Sequence, residues 1–132
     1  MEQTPDLGAQ KTILVVDDNQ ENLQFVSKFL ASSAFNVLTA ANGQDALQQA
    51  RAYKSDIHLL LTDFEMPGMS GIDLATKLTL ERPRIQVLLM SGFNGGMLVL
   101  NEGWHFLAKP FIPSQLRALI VGLVSPGGKS KF

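Results

Sequence analysis

Four places in the sequence set a charged or hydroxyl side chain directly after an apolar run of strand length. Ile13-Leu14-Val15-Val16 leads into Asp17-Asp18, Leu59-Leu60-Leu61-Thr62 into Asp63, Val87-Leu88-Leu89-Met90 into Ser91, and Trp104 to Ala108 into Lys109. Two carboxylates about 4 Å apart repel by roughly 4 kcal/mol at an effective dielectric near 20, so Asp17, Asp18 and Asp63, if they converge, need a cation or a raised pKa. Hard, partly hydrated oxygen ligands suit Mg²⁺ better than Zn²⁺. The same ion would neutralise an incoming phosphoryl group, and Asp63 could then act as a nucleophile and carry an acyl phosphate. Ser91 could hydrogen-bond a phosphoryl oxygen and Lys109 could pair with it. Taken singly, each has a plainer reading: Asp17-Asp18 as a solvated helix cap, Ser91 as a turn residue, Lys109 as a surface charge. Their occurrence together, in this order and at these strand ends, favours the chemistry.

The elements that must position these groups follow from hydrophobic periodicity. Thr12 to Val16 reads as a strand buried on both faces. Asn19 then caps a helix over residues 20–32, whose Leu23, Val26, Phe29 and Leu30 recur at helical spacing. Residues 35–40 predict a second strand, Asn42-Gly43 a turn, and Ala46, Leu47 and Ala50 the buried face of a second helix. Residues 57–62 predict the third strand, and Pro67-Gly68 the turn beyond it. Ser70-Gly71 opens a helix through Leu74, Ala75 and Leu78 that stops before Pro83. Residues 85–91 predict the fourth strand, residues 104–108 the fifth, and Leu116, Leu119, Ile120 and Leu123 the face of a last helix. Between Gly92 and Gly103 there is room for only about one turn of helix. Strands alternating with helices imply an α/β fold, a doubly wound five-stranded parallel sheet of order 2-1-3-4-5, flavodoxin-like, with its site where strands one and three diverge.

With 132 residues, 45% of them hydrophobic, the chain suits one domain around one core. Residues 1–11 read as a flexible leader, 12–124 as the domain and 125–132 as a flexible tail or linker stub. A net charge of −1 gives no general basic field to attract nucleic acid or an anionic membrane. The absence of cysteine excludes disulfides and thiolate metal sites. Met1 to Asp6 is polar and unlike a signal peptide, so the cytoplasm is the expected location.

Val15-Val16-Asp17-Asp18-Asn19, Asp63-Phe64-Glu65-Met66-Pro67-Gly68-Met69-Ser70-Gly71, Met90-Ser91-Gly92 and Phe106-Leu107-Ala108-Lys109-Pro110-Phe111 resemble the signatures of response-regulator receiver domains of two-component systems, the CheY-like fold. The resemblance covers residues 12 to about 124. It implies that Asp63 accepts a phosphoryl group from a phosphohistidine on a sensor histidine kinase or phosphotransfer protein and switches a surface read by a downstream protein. It further implies that Asp18 and Asp63 ligate Mg²⁺ through their side chains, Glu65 through its backbone carbonyl and Asp17 through water. Lys109 then contacts the phosphoryl group, Ser91 moves toward it and Phe106 is the switch aromatic. The Lys109-Pro110 bond resembles one that is cis in the family. From Ser91 to Lys109 is 18 positions, fewer than receivers usually have, which implies a shortened fourth helix. Glu65 and Phe93 flank the site and could set how long the phosphate lasts.

Three other functions fit parts of the pattern. An aspartyl phosphatase would use Asp63 as nucleophile and Glu65 as acid or base, yet such enzymes usually carry the nucleophile on the first strand of their motif order. A turnover enzyme is therefore not expected. An FMN carrier would share the sheet, but its phosphate loop wants free backbone N–H groups where this chain offers Asp17-Asp18. A receiver-like domain that binds partners without being phosphorylated would have little use for the intact Asp, Ser and Lys set.

Overall fold

The computed structural model describes residues 10–92 and 104–125. Strands β1 (Thr12–Val16), β2 (Asn36–Ala40), β3 (Leu59–Asp63), β4 (Gln86–Ser91) and β5 (Trp104–Ala108) alternate with helices α1 (Gln20–Ser32), α2 (Gly43–Ala52) and α3 (Gly71–Glu81), and α4 (Pro113–Val124) follows β5. All pairings are parallel and the sheet order is β2-β1-β3-β4-β5, as the alternation of elements implies. The shortened helix expected between β4 and β5 lies outside the described residues, as does Phe93.

Alternation along the central strands sorts the core into two layers. Leu14, Val16, Leu60, Val87 and Leu89 pack with Ala46, Leu47 and Ala50 of α2 and Leu74, Ala75 and Leu78 of α3. Ile13, Val15, Leu59, Leu61, Leu88 and Met90 pack with Leu23, Val26 and Leu30 of α1 and Leu116 and Ile120 of α4. Both faces are therefore covered, which is why β1, β3 and β4 read as near-continuous apolar runs. The helix ends follow local chemistry: Asn19, Asn42 and Ser70 each accept a backbone N–H at the start of α1, α2 and α3. Arg82 ties the far ends of α2 and α3 together, donating to the carbonyls of Ala50, Tyr53 and Ser55 at 2.8–3.0 Å.

β3 begins at Leu59, two residues later than periodicity alone places it, because a side chain enters the ladder at its start. The His58 N–H donates to the Thr12 carbonyl at 2.9 Å, while the Thr12 N–H donates to Nδ1 of the His58 ring at 3.0 Å. The ring nitrogen takes the place of a strand carbonyl, so it must be unprotonated. Burial, reinforced by Lys11 and partly opposed by Asp56, lowers the His58 pKa below its ordinary 6.5. The folded state therefore binds fewer protons than the unfolded chain between that lowered value and 6.5, and stability falls as pH drops through this window. His58→Asn, which keeps an acceptor but cannot titrate, should flatten the dependence of urea-unfolding stability between about pH 5 and 7. Part of the slope remains, because burial also lowers the His105 pKa. An unchanged slope in the variant contradicts this account.

Candidate functional site

The strand ends deliver the expected residues to one place. Asp17 follows β1, with its N–H donating to the Ala40 carbonyl at 3.2 Å and its Oδ1 accepting the Asn19 N–H at 2.9 Å. Asp63 is the last residue of β3, and one oxygen from each of Asp17, Asp18 and Asp63 lies within 4.8 Å of the others. Lys109, just past β5, places Nζ 2.9 Å from Oδ1 of Asp63, with both side chains largely shielded. Ser91 ends β4 and is buried, and its carbonyl accepts the Lys109 N–H at 2.7 Å. The ends of β3, β4 and β5 are thus linked through the groups that bear the chemistry.

The electrostatics are unbalanced. Three carboxylates face one ammonium, and they differ in exposure: Asp17 is only 2% exposed, Asp63 half-buried and Asp18 open to solvent. Burial pushes the Asp17 carboxyl up from its ordinary value, and the Asp63 and Asp18 charges add to this. The Asn19 N–H and Lys109 hold it back in part. An all-oxygen donor set with excess negative charge fits a hard divalent cation such as Mg²⁺. It is the one such group of three among the described residues.

The loop from Phe64 to Ser70 is held against the site by backbone. Phe64 N–H donates to the Met90 carbonyl at 2.7 Å, and Gly71 N–H returns to the Phe64 carbonyl at 2.9 Å. Gly68 turns the loop with φ +83°, in the left-handed region that favours glycine. Glu65 projects its side chain into solvent within this loop. Phe106 stands on β5 opposite Leu89, half-buried against the α2–α3 layer, and the Lys109-Pro110 bond is cis.

Beside Lys109, Phe25, Val26, Met90 and Phe111 wall a hollow of about 400 Å³. Phe25 is 56% exposed on α1. Sequence reasoning passed over it because it sits off the buried Leu23-Val26-Leu30 stripe. An aromatic residue off the stripe, one turn into the helix after the acidic pair, was the signal available.

The family model of the response regulator receiver domain matches residues 13–121. Two-component response regulator ORR3 of Oryza sativa subsp. indica is 34% identical over 113 residues, covering 81% of this chain and 86% of that protein. "Probable transcriptional regulatory protein TcrX" of Mycobacterium tuberculosis is 34% identical over 121 residues, covering 86% of this chain; the chain spans 51% of that protein's length. A response regulator receiver domain protein from Clostridium thermocellum has a closely similar structure, with a TM-score of 0.79 at 27% identity, covering 86% of this chain and 94% of that one.

Gly71 fixes the distance between α3 and β3, since a Cβ there would overlap the Asp63 carbonyl oxygen and crowd Phe64 Cα. Both obstacles are backbone and cannot rotate away. Gly71→Ala should cost about 1–3 kcal/mol in unfolding free energy, measured by urea titration. A loss indistinguishable from zero would show that the loop yields freely.

Proposed function

The chain belongs to the response regulator receiver domain family, and on that premise we propose that Asp63 is its phosphoryl acceptor. Receiver domains of two-component response regulators switch on phosphorylation, and such domains generally bind Mg²⁺ at an acidic pocket and are not turnover enzymes. The observation that carries the assignment of Asp63 is its 2.9 Å contact with Lys109 beside the Asp17 and Asp18 carboxylates. A nucleophile, an ammonium and an anionic metal pocket then share one strand-end crevice.

In this reading the P–N bond of a phosphohistidine breaks as an Asp63 oxygen forms the new P–O bond, and the P–N electron pair stays on the histidine, which, protonated on its other ring nitrogen, leaves as neutral imidazole. Lys109 transfers its ammonium from Oδ1 to a phosphoryl oxygen, and the Ser91 hydroxyl donates to another. Asp18 and Asp63 would hold Mg²⁺ through their side chains, Asp17 through water and Glu65 through its backbone carbonyl. When bound, the ion neutralises charge on the phosphoryl oxygens. Ser91 moves toward the phosphate, and Phe106, as the switch aromatic, carries the change to the surface that a partner reads. Residues 12–124 act as the receiver unit. The phosphodonor is a sensor histidine kinase or phosphotransfer protein, and a downstream protein reads the switched surface. Neither nucleic acid nor membrane is a partner of this domain, and its place is the cytoplasm. No helix among the described residues is long and apolar enough to cross a membrane. The protein loses its phosphate by self-hydrolysis and does not turn over phosphate esters. The position of Asp63 at the end of the third strand, not the first, separates this reading from an aspartyl phosphatase.

Incubation with acetyl phosphate and Mg²⁺ should add one phosphoryl group by intact mass, with no adduct in EDTA or in Asp63→Asn. Lys109→Ala should lower the phosphorylation rate by about a hundredfold or more, as loss of a charge-stabilising group at a transferring phosphoryl does. A metal-independent adduct, or one retained in Asp63→Asn, would place the chemistry elsewhere.

A further inference from the structure

Four polar residues are buried as a whole among those described: Thr12, Asp17, Thr62 and Ser91. Asp17 and Ser91 belong to the strand-end crevice. Thr12 sits at the opposite end of the sheet, where its hydroxyl joins Tyr53 and Asn36. Thr62 is fully buried in β3, paired with Val16 on one side and Leu89 on the other, after three leucines. Valine would fill this position with the same shape and no hydroxyl to satisfy, whereas a buried hydroxyl is costly unless it is hydrogen-bonded.

Its partners both lie in the segment that shapes the crevice. Thr62 Oγ1 donates to the Asp63 carbonyl at 3.1 Å and lies 3.9 Å from Sδ of Met66. The Asp63 carbonyl is the group against which Gly71 packs, and Met66 is the buried residue of the following loop. Between them, Phe64 is fixed by bonds at both its N–H and its carbonyl. Glu65 is thus the exposed link between two anchored neighbours, and the peptide that carries its carbonyl is set by Phe64 on one side and Met66 on the other.

We propose that Thr62 is a positioning residue whose buried hydroxyl, placed between the Asp63 carbonyl and the Met66 thioether, sets the Glu65 carbonyl for Mg²⁺. This rests on the assignment of Asp63 and the Glu65 carbonyl as ligands given above. Supporting groups behind metal ligands commonly change affinity by about tenfold or more when removed. Thr62 acts through the backbone and touches neither the phosphoryl group nor the ion.

The test is direct calorimetric titration of Mg²⁺ into the unphosphorylated protein, for wild type, Thr62→Val and Thr62→Ser, with acetyl phosphate labelling of the same three. Thr62→Val should bind Mg²⁺ about tenfold more weakly with no loss of thermal stability, and should need correspondingly more Mg²⁺ for half-maximal labelling. Thr62→Ser, which keeps the hydroxyl, should restore wild-type binding. Equal Mg²⁺ affinity in wild type and Thr62→Val overturns the proposal, as does an equal loss in Thr62→Val and Thr62→Ser, which would make shape the cause. Wild type that binds Mg²⁺ but takes up no phosphate overturns the acceptor assignment and leaves the role of Thr62 standing. Absence of Mg²⁺ binding in wild type overturns both.

Discussion

Mutual repulsion among Asp17, Asp18 and Asp63, whose oxygens gather within 4.8 Å, is the constraint to which the rest of the molecule answers. Left to itself a chain would let these carboxylates separate, since like charges repel at short range. The sheet prevents it. β1 and β3 are adjacent and in parallel register from Ile13 with Leu59 to Val16 with Thr62, so the residues that follow must emerge side by side. One opposing charge, Lys109 on Asp63, balances part of the excess. Burial, with a smaller addition from the neighbouring carboxylates, leaves Asp17 with a raised pKa, and the crevice keeps an excess of negative charge.

That arrangement can be held because the strands carrying it are buried on both faces. β1 is apolar from Ile13 to Val16, and β3 and β4 are fully buried over most of their length, so the core's stabilisation is concentrated under the charges. The loops above the core are tied by backbone, which does not rotate as side chains do. Phe64 bonds to Met90, Gly71 to Phe64 and Lys109 to Ser91, and these contacts link three strand ends. Helices α2 and α3 are fastened at their far ends by Arg82 and by the Arg51–Glu81 pair, and at the crevice end Gly71 packs against the Asp63 backbone. A site built this way can exchange one charge partner for another without disturbing the core.

Most of this was legible from apolar runs and what terminates them. The runs ending at Val16, Thr62 and Met90 place Asp17, Asp63 and Ser91 at strand ends, and a parallel sheet then brings those ends together. Asn19, Asn42 and Ser70 marked helix starts because their side chains can cap and little else suits those positions. Features that depend on partners distant in sequence were not legible. His58 reads as an ordinary residue inside a strand until Thr12, far off in sequence, is placed beside its ring. Arg82 reads as a helix-end charge until the carbonyls of α2 come within reach. Thr62 reads as one more β-branched strand residue, and only the geometry shows its hydroxyl directed at the Asp63 carbonyl. Phe25 was passed over because periodicity finds buried faces and says nothing about exposed ones.

The central claim is that the carboxyl of Asp63, and no other, takes the phosphoryl group. An acyl phosphate is reduced by borohydride to the alcohol, whereas a free carboxylate is not, so reduction after treatment with a phosphodonor and Mg²⁺ marks the acceptor permanently. Peptide mapping of the reduced protein should find homoserine in place of Asp63, with Asp17 and Asp18 unchanged. Homoserine at position 17 or 18, or unmodified Asp63 in protein that carries phosphate, would contradict the account.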